Sequence, residues 1–86
     1  MTSDKLEEIR ARCNAARAGP WTAIIEGRDQ DGGSSFIMIG EGEGRDEDLH
    51  LSGYDKVVPT ADYDFIASAR EDIPFLLAEI ERLTTG

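Results

Sequence analysis

The apolar residues of this chain fall into three segments whose spacing predicts different secondary structures. In the first segment the apolar positions recur at steps of three and four, which is the period of an amphipathic helix. They are Leu6, Ile9, Cys13 and Ala16. Asp4 and Glu7 suit the start of such a helix, and Gly19 and Pro20 end the pattern. We therefore expect a helix at residues 5–18.

The middle of the chain has the composition of a β-sheet. Residues 21–27 and 35–40 are rich in aromatic and β-branched side chains, and the sequence DQDGGS between them supplies the glycines that a hairpin turn needs. Residues 49–51, with the sequence Leu-His-Leu, alternate apolar and polar positions as a short strand does. We therefore expect an antiparallel sheet of three strands.

The last third of the chain predicts two helices with a bend between them. Its apolar positions follow the helical period and are Phe65, Ile66, Ala69, Ile73, Leu76, Leu77, Ile80 and Leu83. Inside one continuous helix the ring of Pro74 would clash with the carbonyl group of Arg70 and remove a hydrogen bond, at a cost of ~3 kcal/mol. Asp72 is well placed to cap a new helix whose first turn contains Pro74. We therefore expect helices at residues 62–69 and 73–83.

Together these elements predict an α+β fold of order α-β-β-β-α-α, with helices on one face of the sheet. We expect residues 1–86 to form a single domain with a thin stability margin, because a chain this short buries only about 60–65% of its unfolded surface. Four consecutive apolar residues, Phe36 to Ile39, imply that the second strand is buried on both faces. Few helices are available to cover two faces, so we expect a homo-oligomer whose interface also includes Phe75.

The net charge of −9 is concentrated in the middle of the chain. Residues 1–25 contain three acids and four bases, whereas residues 26–48 contain eight acids against Arg28 and Arg45. Because such a field repels phosphates, we expect no binding to nucleic acid or to an anionic membrane. The Gly/Glu run at residues 40–44 has carboxylates that would repel a bound phosphate, so we expect a flexible, solvated connection there.

Residue types that perform catalysis or bind metals are sparse. His50 is the one histidine and Cys13 the one cysteine, so the sequence indicates neither a zinc cluster nor a nucleophile with a positioned base. We expect no enzymatic activity, no metal and no cofactor. The first residues, MTSDKLEE, lack the features of a signal peptide, and no apolar run approaches ~18 residues, so we expect a cytoplasmic protein.

Two segments of the chain resemble a known group of proteins. LEEIRARCNAARAGPW, near the N-terminus, and ADYDFIASAREDIPFLLAEIERL, at residues 61–83, resemble the ends of small Ead-type accessory proteins of phages and prophages. In that group a helix closes on Gly-Pro-Trp, and a later stretch reads Ala-Asp-x-x-Phe-Ile-Ala-x-Ala-Arg-x-Asp-x-Pro-x-Leu-Leu. The matching positions in that stretch are Ala61, Asp62, Phe65, Ile66, Ala67, Ala69, Arg70, Asp72, Pro74, Leu76 and Leu77. The resemblance leaves out the acidic middle, and it implies a phage-encoded accessory protein that counteracts a defence system in the bacterial host cytoplasm.

The resemblance carries no catalytic motif and leaves two mechanisms open. In the first, an oligomer sequesters a small nucleotide immune signal, which requires an aromatic platform and arginines that meet phosphates. The candidate ligand-binding residues are Arg17, Trp21, Arg28, Tyr54 and Arg70. In the alternative, the acidic residues 26–48 dock onto a basic host protein and inhibit it, as a mimic of DNA would. We favour sequestration, because the negative charge gathers in turns instead of along regular faces.

Two of these candidates also have plainer structural interpretations. Trp21, which directly follows Gly19-Pro20, suits a core position that docks the first helix on the sheet. Arg70 suits an ion pair with the nearby Asp72. The sequence leaves both interpretations open.

Overall fold

The computed structural model describes residues 2–53 and 57–85. Its first element is the helix α1 (Thr2–Ala15), which begins and ends three residues before the expected range. Just past this helix the amide of Ala16 still donates to the carbonyl of Arg12, at 3.1 Å, and the carbonyl group of Arg17 accepts hydrogen bonds from side chains elsewhere in the fold. The chain then turns at Gly19-Pro20, whose peptide bond is cis.

The sheet has two strands in the described residues, so the prediction of three strands is wrong. β1 (Trp21–Ile24) pairs antiparallel with β2 (Phe36–Ile39), with Trp21 opposite Ile39. Residues 49–51 contribute a single bridge, in which Leu49 and Ile37 exchange two backbone hydrogen bonds of 2.8 Å. One pairing residue does not make a strand, because the segment meets the edge of β2 at that point alone.

β1 is also shorter than the expected range of 21–27. The amide group of Ile25 donates to the carboxylate of Asp29 at 2.9 Å, and its carbonyl accepts hydrogen bonds from the amides of Arg28 and Asp29. These bonds fold the chain into a turn directly after Ile24. The backbone groups that would have extended the ladder with β2 are therefore used inside the turn.

The C-terminal third is one helix, α2 (Thr60–Thr85), which passes through Pro74 without a break. The expected pair of helices at 62–69 and 73–83 is therefore wrong, and the order of regular elements becomes α-β-β-α with a short 3₁₀ helix at Gly42–Gly44. The apolar positions on the two sides of Pro74 are in phase, so one continuous helix keeps Ala67 and Leu77 buried at once. Packing along this whole length offsets the local cost of proline.

The core lies between the sheet and the first half of α2. Ile37 and Ile39 are completely or almost completely buried, and the α2 residues that pack against them are Tyr63 and Ala67. Phe36 and Met38, on the other face of β2, are only half-buried. The chain itself thus covers one face of the strand.

The second half of α2 packs against α1. Leu6 shares a surface groove with Leu77 and Ile80, while Cys13 shares one with Arg70 and Pro74, so the two helices run antiparallel. Of the described residues in this helix pair beyond residue 67 of α2, Leu77 is the one that is buried. Neither helix in the described part of the chain has the length and apolar character that crossing a membrane requires. The helix pair therefore has a much thinner core than the sheet half.

Replacing Asp72 by alanine tests the continuous helix. In an uninterrupted α2 this residue is exposed and interior, so Asp72→Ala should leave the free energy of unfolding unchanged or raise it by up to roughly 0.7 kcal/mol, through helix propensity. Asp62→Ala, in the first turn of α2, is the matched control and should lower it by about 0.3–1 kcal/mol, because a carboxylate is lost from the helix N-terminus. Urea unfolding followed by circular dichroism measures both changes. A loss of about 1 kcal/mol in Asp72→Ala would instead indicate a capping residue at a bend.

Candidate functional site

Three of the predicted site residues meet where α1, β1 and α2 come together. The carbonyl oxygen of Arg17 accepts hydrogen bonds from Nε1 of Trp21 at 3.2 Å and from Nη1 of Arg70 at 3.0 Å. The guanidinium carbon of Arg70 lies 6.0 Å from the centroid of the Trp21 ring, which is within the range of a cation–π contact. We call this cluster of Arg17, Trp21 and Arg70 the junction.

Gly19 makes the junction possible. A Cβ atom at this position would lie 3.2 Å from Cγ of Arg70, which is tighter than ordinary van der Waals contact. Glycine therefore lets the turn after α1 approach the side of α2. The Gly-Pro-Trp sequence is the signal in the chain that marks this close approach.

Both arginines of the junction already have partners inside the protein. Nη1 of Arg17 donates to the carbonyl oxygen of Glu47 at 3.0 Å and lies 3.7 Å from a carboxylate oxygen of Asp46. Arg70 holds the Arg17 carbonyl and covers the Trp21 ring. An anionic ligand would have to compete with these contacts.

Arg28 lies apart from the junction, in the turn after β1. Its Nη1 and Nη2 atoms donate to the two carboxylate oxygens of Asp64, each at 3.0 Å, and its Nε donates to Asp29 at 3.0 Å. The hydrogen bonds from Arg28 lower the pKa of Asp64, whereas the pKa of Asp29 is lowered first by the backbone amide of Ile25 and then by Arg28. The same two carboxylates raise the pKa of Arg28, with Asp64 contributing most. The arginine thus ties the end of β1 to the first turns of α2.

Of the four predicted ligand-binding residues that the structure describes, Arg17, Trp21 and Arg70 meet at the junction and Arg28 lies outside it. Trp21 and Arg28 do line a common surface groove, but Asp29, Asp64 and Glu71 line it as well. Three carboxylates beside one arginine disfavour an anionic ligand there. Tyr54 lies outside the described residues.

An apolar groove lies beside Trp21 and Arg70, and its other lining residues were not among the predicted site residues. It has a volume of about 260 Å³ and is lined almost wholly by apolar side chains, among them Ala16, Ile66, Ala69 and Ile73, with Arg70 at its edge. The signal for it was present in the sequence. The apolar positions of α2 occupy more of the helix circumference than one packed face requires.

The acidic segment at residues 41–48, which we call the acidic loop, is hydrogen-bonded to the sheet. The amide of Gly40 donates to the carbonyl of Pro20 at 2.7 Å, and the amide of Asp46 donates to the carbonyl of Ile39 at 2.9 Å. Between these bonds the chain forms the 3₁₀ helix, closed by a bond of 2.9 Å from the Gly44 amide to the Glu41 carbonyl. The Gly/Glu run that was expected to be a flexible, solvated connection has exposed side chains, and the backbone on both sides of its 3₁₀ helix is hydrogen-bonded to the rest of the fold.

The carboxylates of the acidic loop differ in their partners. Asp46 lies near Arg17, and Asp48 binds Arg45 at 2.6 Å. The carboxylates of Glu41, Glu43 and Glu47 are exposed and form no ion pair with any described residue. These three side chains project from the loop as unneutralised negative charges.

Candidate metal ligands do not converge in the part of the chain that the structure describes. No group of three or more histidine, cysteine, aspartate or glutamate side chains is placed to hold a metal ion there. His50 lies against Phe36, with their ring centroids 5.8 Å apart, and Cys13 is half-buried on α1. Both side chains have ordinary packing environments.

Comparison with known proteins yields no match: no family model, no curated protein and no solved structure matches the chain significantly. The resemblance to the Ead-type proteins therefore stays a prediction. Function has to be inferred from the residues and their geometry.

Replacing Arg28 by methionine should change how stability depends on pH. The pKa values of Asp29 and Asp64 are lower in the folded state than the ordinary value of about 3.9, so their stabilising contribution is complete above that pH and is lost as the pH falls through the lowered folded-state values. Arg28→Met should lower the melting temperature at pH 7, and its difference from the wild type should shrink as the pH falls below about 4.

Melting temperatures measured between pH 7 and pH 2 test this expectation. Arg45→Met, which removes only the local pair with Asp48, is the matched control and should have a smaller effect at pH 7. A constant difference between Arg28→Met and the wild type at every pH would contradict the assignment.

Replacing Gly40 by alanine tests whether the acidic loop is held in place. Gly40 is buried, has a φ of 75°, and a Cβ atom there would collide with the carbonyl oxygen of Gly44. Gly40→Ala should lower the free energy of unfolding by about 1–3 kcal/mol. Gly44→Ala, where a Cβ meets open space, should stay within about 0.5 kcal/mol of the wild type. Equal stability of the two variants in urea unfolding would show that the loop geometry is not required.

Proposed function

We propose that the protein is a non-enzymatic interaction module that captures a basic protein partner through its acidic loop. Arg17, Arg28 and Arg45 are paired with carboxylates of the protein itself. The carboxylates of Glu41, Glu43 and Glu47, in contrast, are exposed on a hydrogen-bonded loop, and this contrast supports the proposal. The resemblance to Ead-type accessory proteins supports a phage origin and a host defence protein as the target. The same resemblance supports action in the bacterial cytoplasm.

The anchoring of the loop favours binding. A segment that is already hydrogen-bonded to β2 and to Pro20 loses less conformational freedom on association than a flexible one. Glu41, Glu43 and Glu47 would therefore meet a partner from defined backbone positions. Several fixed charges of one sign also steer a partner of opposite charge and speed its encounter.

The internal ion pairs strengthen the same conclusion. Arg45, within the loop, binds Asp48, and Arg17, outside the loop, lies 3.7 Å from Asp46. The remaining carboxylates, those of Glu41, Glu43 and Glu47, are exposed and have no cationic partner among the described residues. A partner that presents lysine or arginine side chains would supply the opposite charge that the chain itself does not.

Sequestration of a nucleotide is a second candidate, because Trp21 and Arg70 line one apolar groove. An indole ring beside a groove of about 260 Å³ suits the stacking of a base. The phosphates would then need Arg17 or Arg70, which are held by internal hydrogen bonds. This cost makes the nucleotide the weaker of the two candidates.

Charge-neutralising substitutions in the acidic loop test the proposal. A triple variant with Glu41→Gln, Glu43→Gln and Glu47→Gln should lose a basic protein that the wild type retains from a bacterial lysate, with affinity lowered at least about tenfold in a binding assay with the purified partner. A control with Asp4→Asn, Glu7→Gln and Glu8→Gln removes the same charge from exposed positions on α1 and should bind as the wild type does.

Two outcomes would contradict the proposal. Equal retention of the partner by the loop variant would show that the acidic loop is not the binding surface. The second outcome would come from measuring the melting temperature with each of a panel of cyclic nucleotides. A ligand at 100 times its Kd should raise the melting temperature of a domain this small by ~10 °C or more. If the loop variant showed this shift and Arg70→Met did not, the nucleotide would be identified as the ligand.

A further inference from the structure

A second apolar surface runs along α2, beginning at Ile66 beside the core and continuing to the end of the helix. Its residues recur at steps of three and four without a fault and are Ile66, Ala69, Ile73, Leu76, Ile80 and Leu83. We call this set the α2 stripe. Leu76 is 51% exposed and Leu83 70% exposed, and Phe65 beside the stripe is 77% exposed. These are large apolar side chains that the chain leaves in contact with water.

The repeat of the stripe points to another helix as its occupant. Apolar residues at alternating steps of three and four form one seam along a helix, and such a seam packs against another helix. Isoleucine occupies the first position of each heptad, and leucine the second position in the last two. Large apolar side chains at such alternating positions are typical of helix–helix interfaces, in bundles as well as in coiled coils.

α1 covers the stripe only in part. Leu6 shares a groove with Ile80, and Cys13 shares the apolar groove with Ile66 and Ile73. The apolar residues of α1 themselves recur at steps of three, four and three, and Leu6, Ile9 and Cys13 are half-buried. The helix pair therefore presents two incomplete apolar seams side by side.

We propose that the helix pairs of two copies of this chain close on each other as a four-helix bundle. The same seams are present on both copies, as an interface with two-fold symmetry requires. A two-helix face about 27 Å long and about 20 Å wide covers on the order of 500 Å² in projection, which is the same order of magnitude as the ~800 Å² that each partner of a stable dimer buries. This bundle extends the protein beyond its proposed acidic-loop function and does not depend on that function.

The charges of the two helices select the arrangement of the bundle. Thr60–Thr85 contains six acids and two arginines, whereas Thr2–Ala15 contains three acids and three bases. Two α2 helices placed side by side would repel each other. With each α2 between its own α1 and the partner's α1, the two acidic helices lie on a diagonal of the bundle. Lys5 and Arg12 of α1 are exposed and have no ion pair among the described residues, so they are available to the acids of the partner's α2.

This assembly places the interface away from β2. The sequence indicated that β2 and Phe75 formed the oligomer interface, but Ile37 and Ile39 are buried within their own chain. Phe75 lies on α2 outside the heptad positions and is 62% exposed. It is therefore a control for the stripe, because it is a large exposed apolar residue on the same helix.

Sedimentation equilibrium of the full chain, at concentrations up to millimolar, tests the bundle. The wild type should be a dimer, and Leu76→Glu should weaken it at least about 100-fold, because a carboxylate would be buried without a partner. Phe75→Glu should dimerise as the wild type does. Circular dichroism reports whether each variant is folded, and Leu83→Glu, at a more exposed position, decides the question if Leu76→Glu unfolds.

Three outcomes would overturn the proposal. A wild type that stays monomeric would show that a second copy of this chain does not cover the α2 stripe. A dimer that persists in both Leu76→Glu and Leu83→Glu, or that dissociates in Phe75→Glu alone, would place the interface elsewhere. None of these results bears on capture of a partner by the acidic loop, so the two proposals can fail separately.

Discussion

The carbonyl oxygen of Arg17 joins the parts of this protein. It accepts one hydrogen bond from the indole of Trp21, at the start of β1, and another from the guanidinium group of Arg70, in the middle of α2. Because Gly19 lets the chain approach α2 closely, the end of α1, the sheet and α2 meet at one backbone atom. The sheet half and the helix pair are held at a fixed relation through this atom and through the shared helix α2.

The two halves of the molecule differ in how completely their apolar side chains are buried. Ile37 and Ile39 are closed off under the first half of α2, whereas the helix pair keeps apolar side chains such as Leu83 in water. The charged side chains also fall into two groups. Arg17 and Arg28 form ion pairs with carboxylates of their own chain, whereas the glutamates of the acidic loop form no ion pair with a described residue. A closed core beside an open apolar seam and an anchored acidic loop is the organisation on which both binding proposals rest.

The sequence predicted the helical and strand regions well where apolar residues recur with a regular period. It predicted them poorly where the structure depends on residues that are distant in the sequence. The apolar steps located α1, the hairpin and α2, but the local cost of Pro74 suggested a break that packing on both sides of it overrides. The alternation at residues 49–51 could not show that Leu49 alone would reach Ile37.

The candidate site shows the same limit. Arginines next to an aromatic residue suggest anion binding when neighbours in space are unknown. Arg28 meets Asp64 across 36 residues of sequence, and nothing in the spacing of the chain indicates that pair. The plainer interpretation of Trp21, as the residue that docks the first helix on the sheet, agrees with its place in the junction.

Unfolding of an Arg70→Met variant tests the junction most directly, because Trp21 is the one tryptophan and reports on this site by its fluorescence. Urea unfolding of the wild type should give the same midpoint by fluorescence and by circular dichroism, as expected for halves that unfold together. Arg70→Met keeps the length of the side chain but removes the hydrogen bond and the cation, so it should lower the free energy of unfolding by about 1–2 kcal/mol. A variant that unfolds at the wild-type midpoint, with unchanged Trp21 emission, would contradict a junction that holds the fold together.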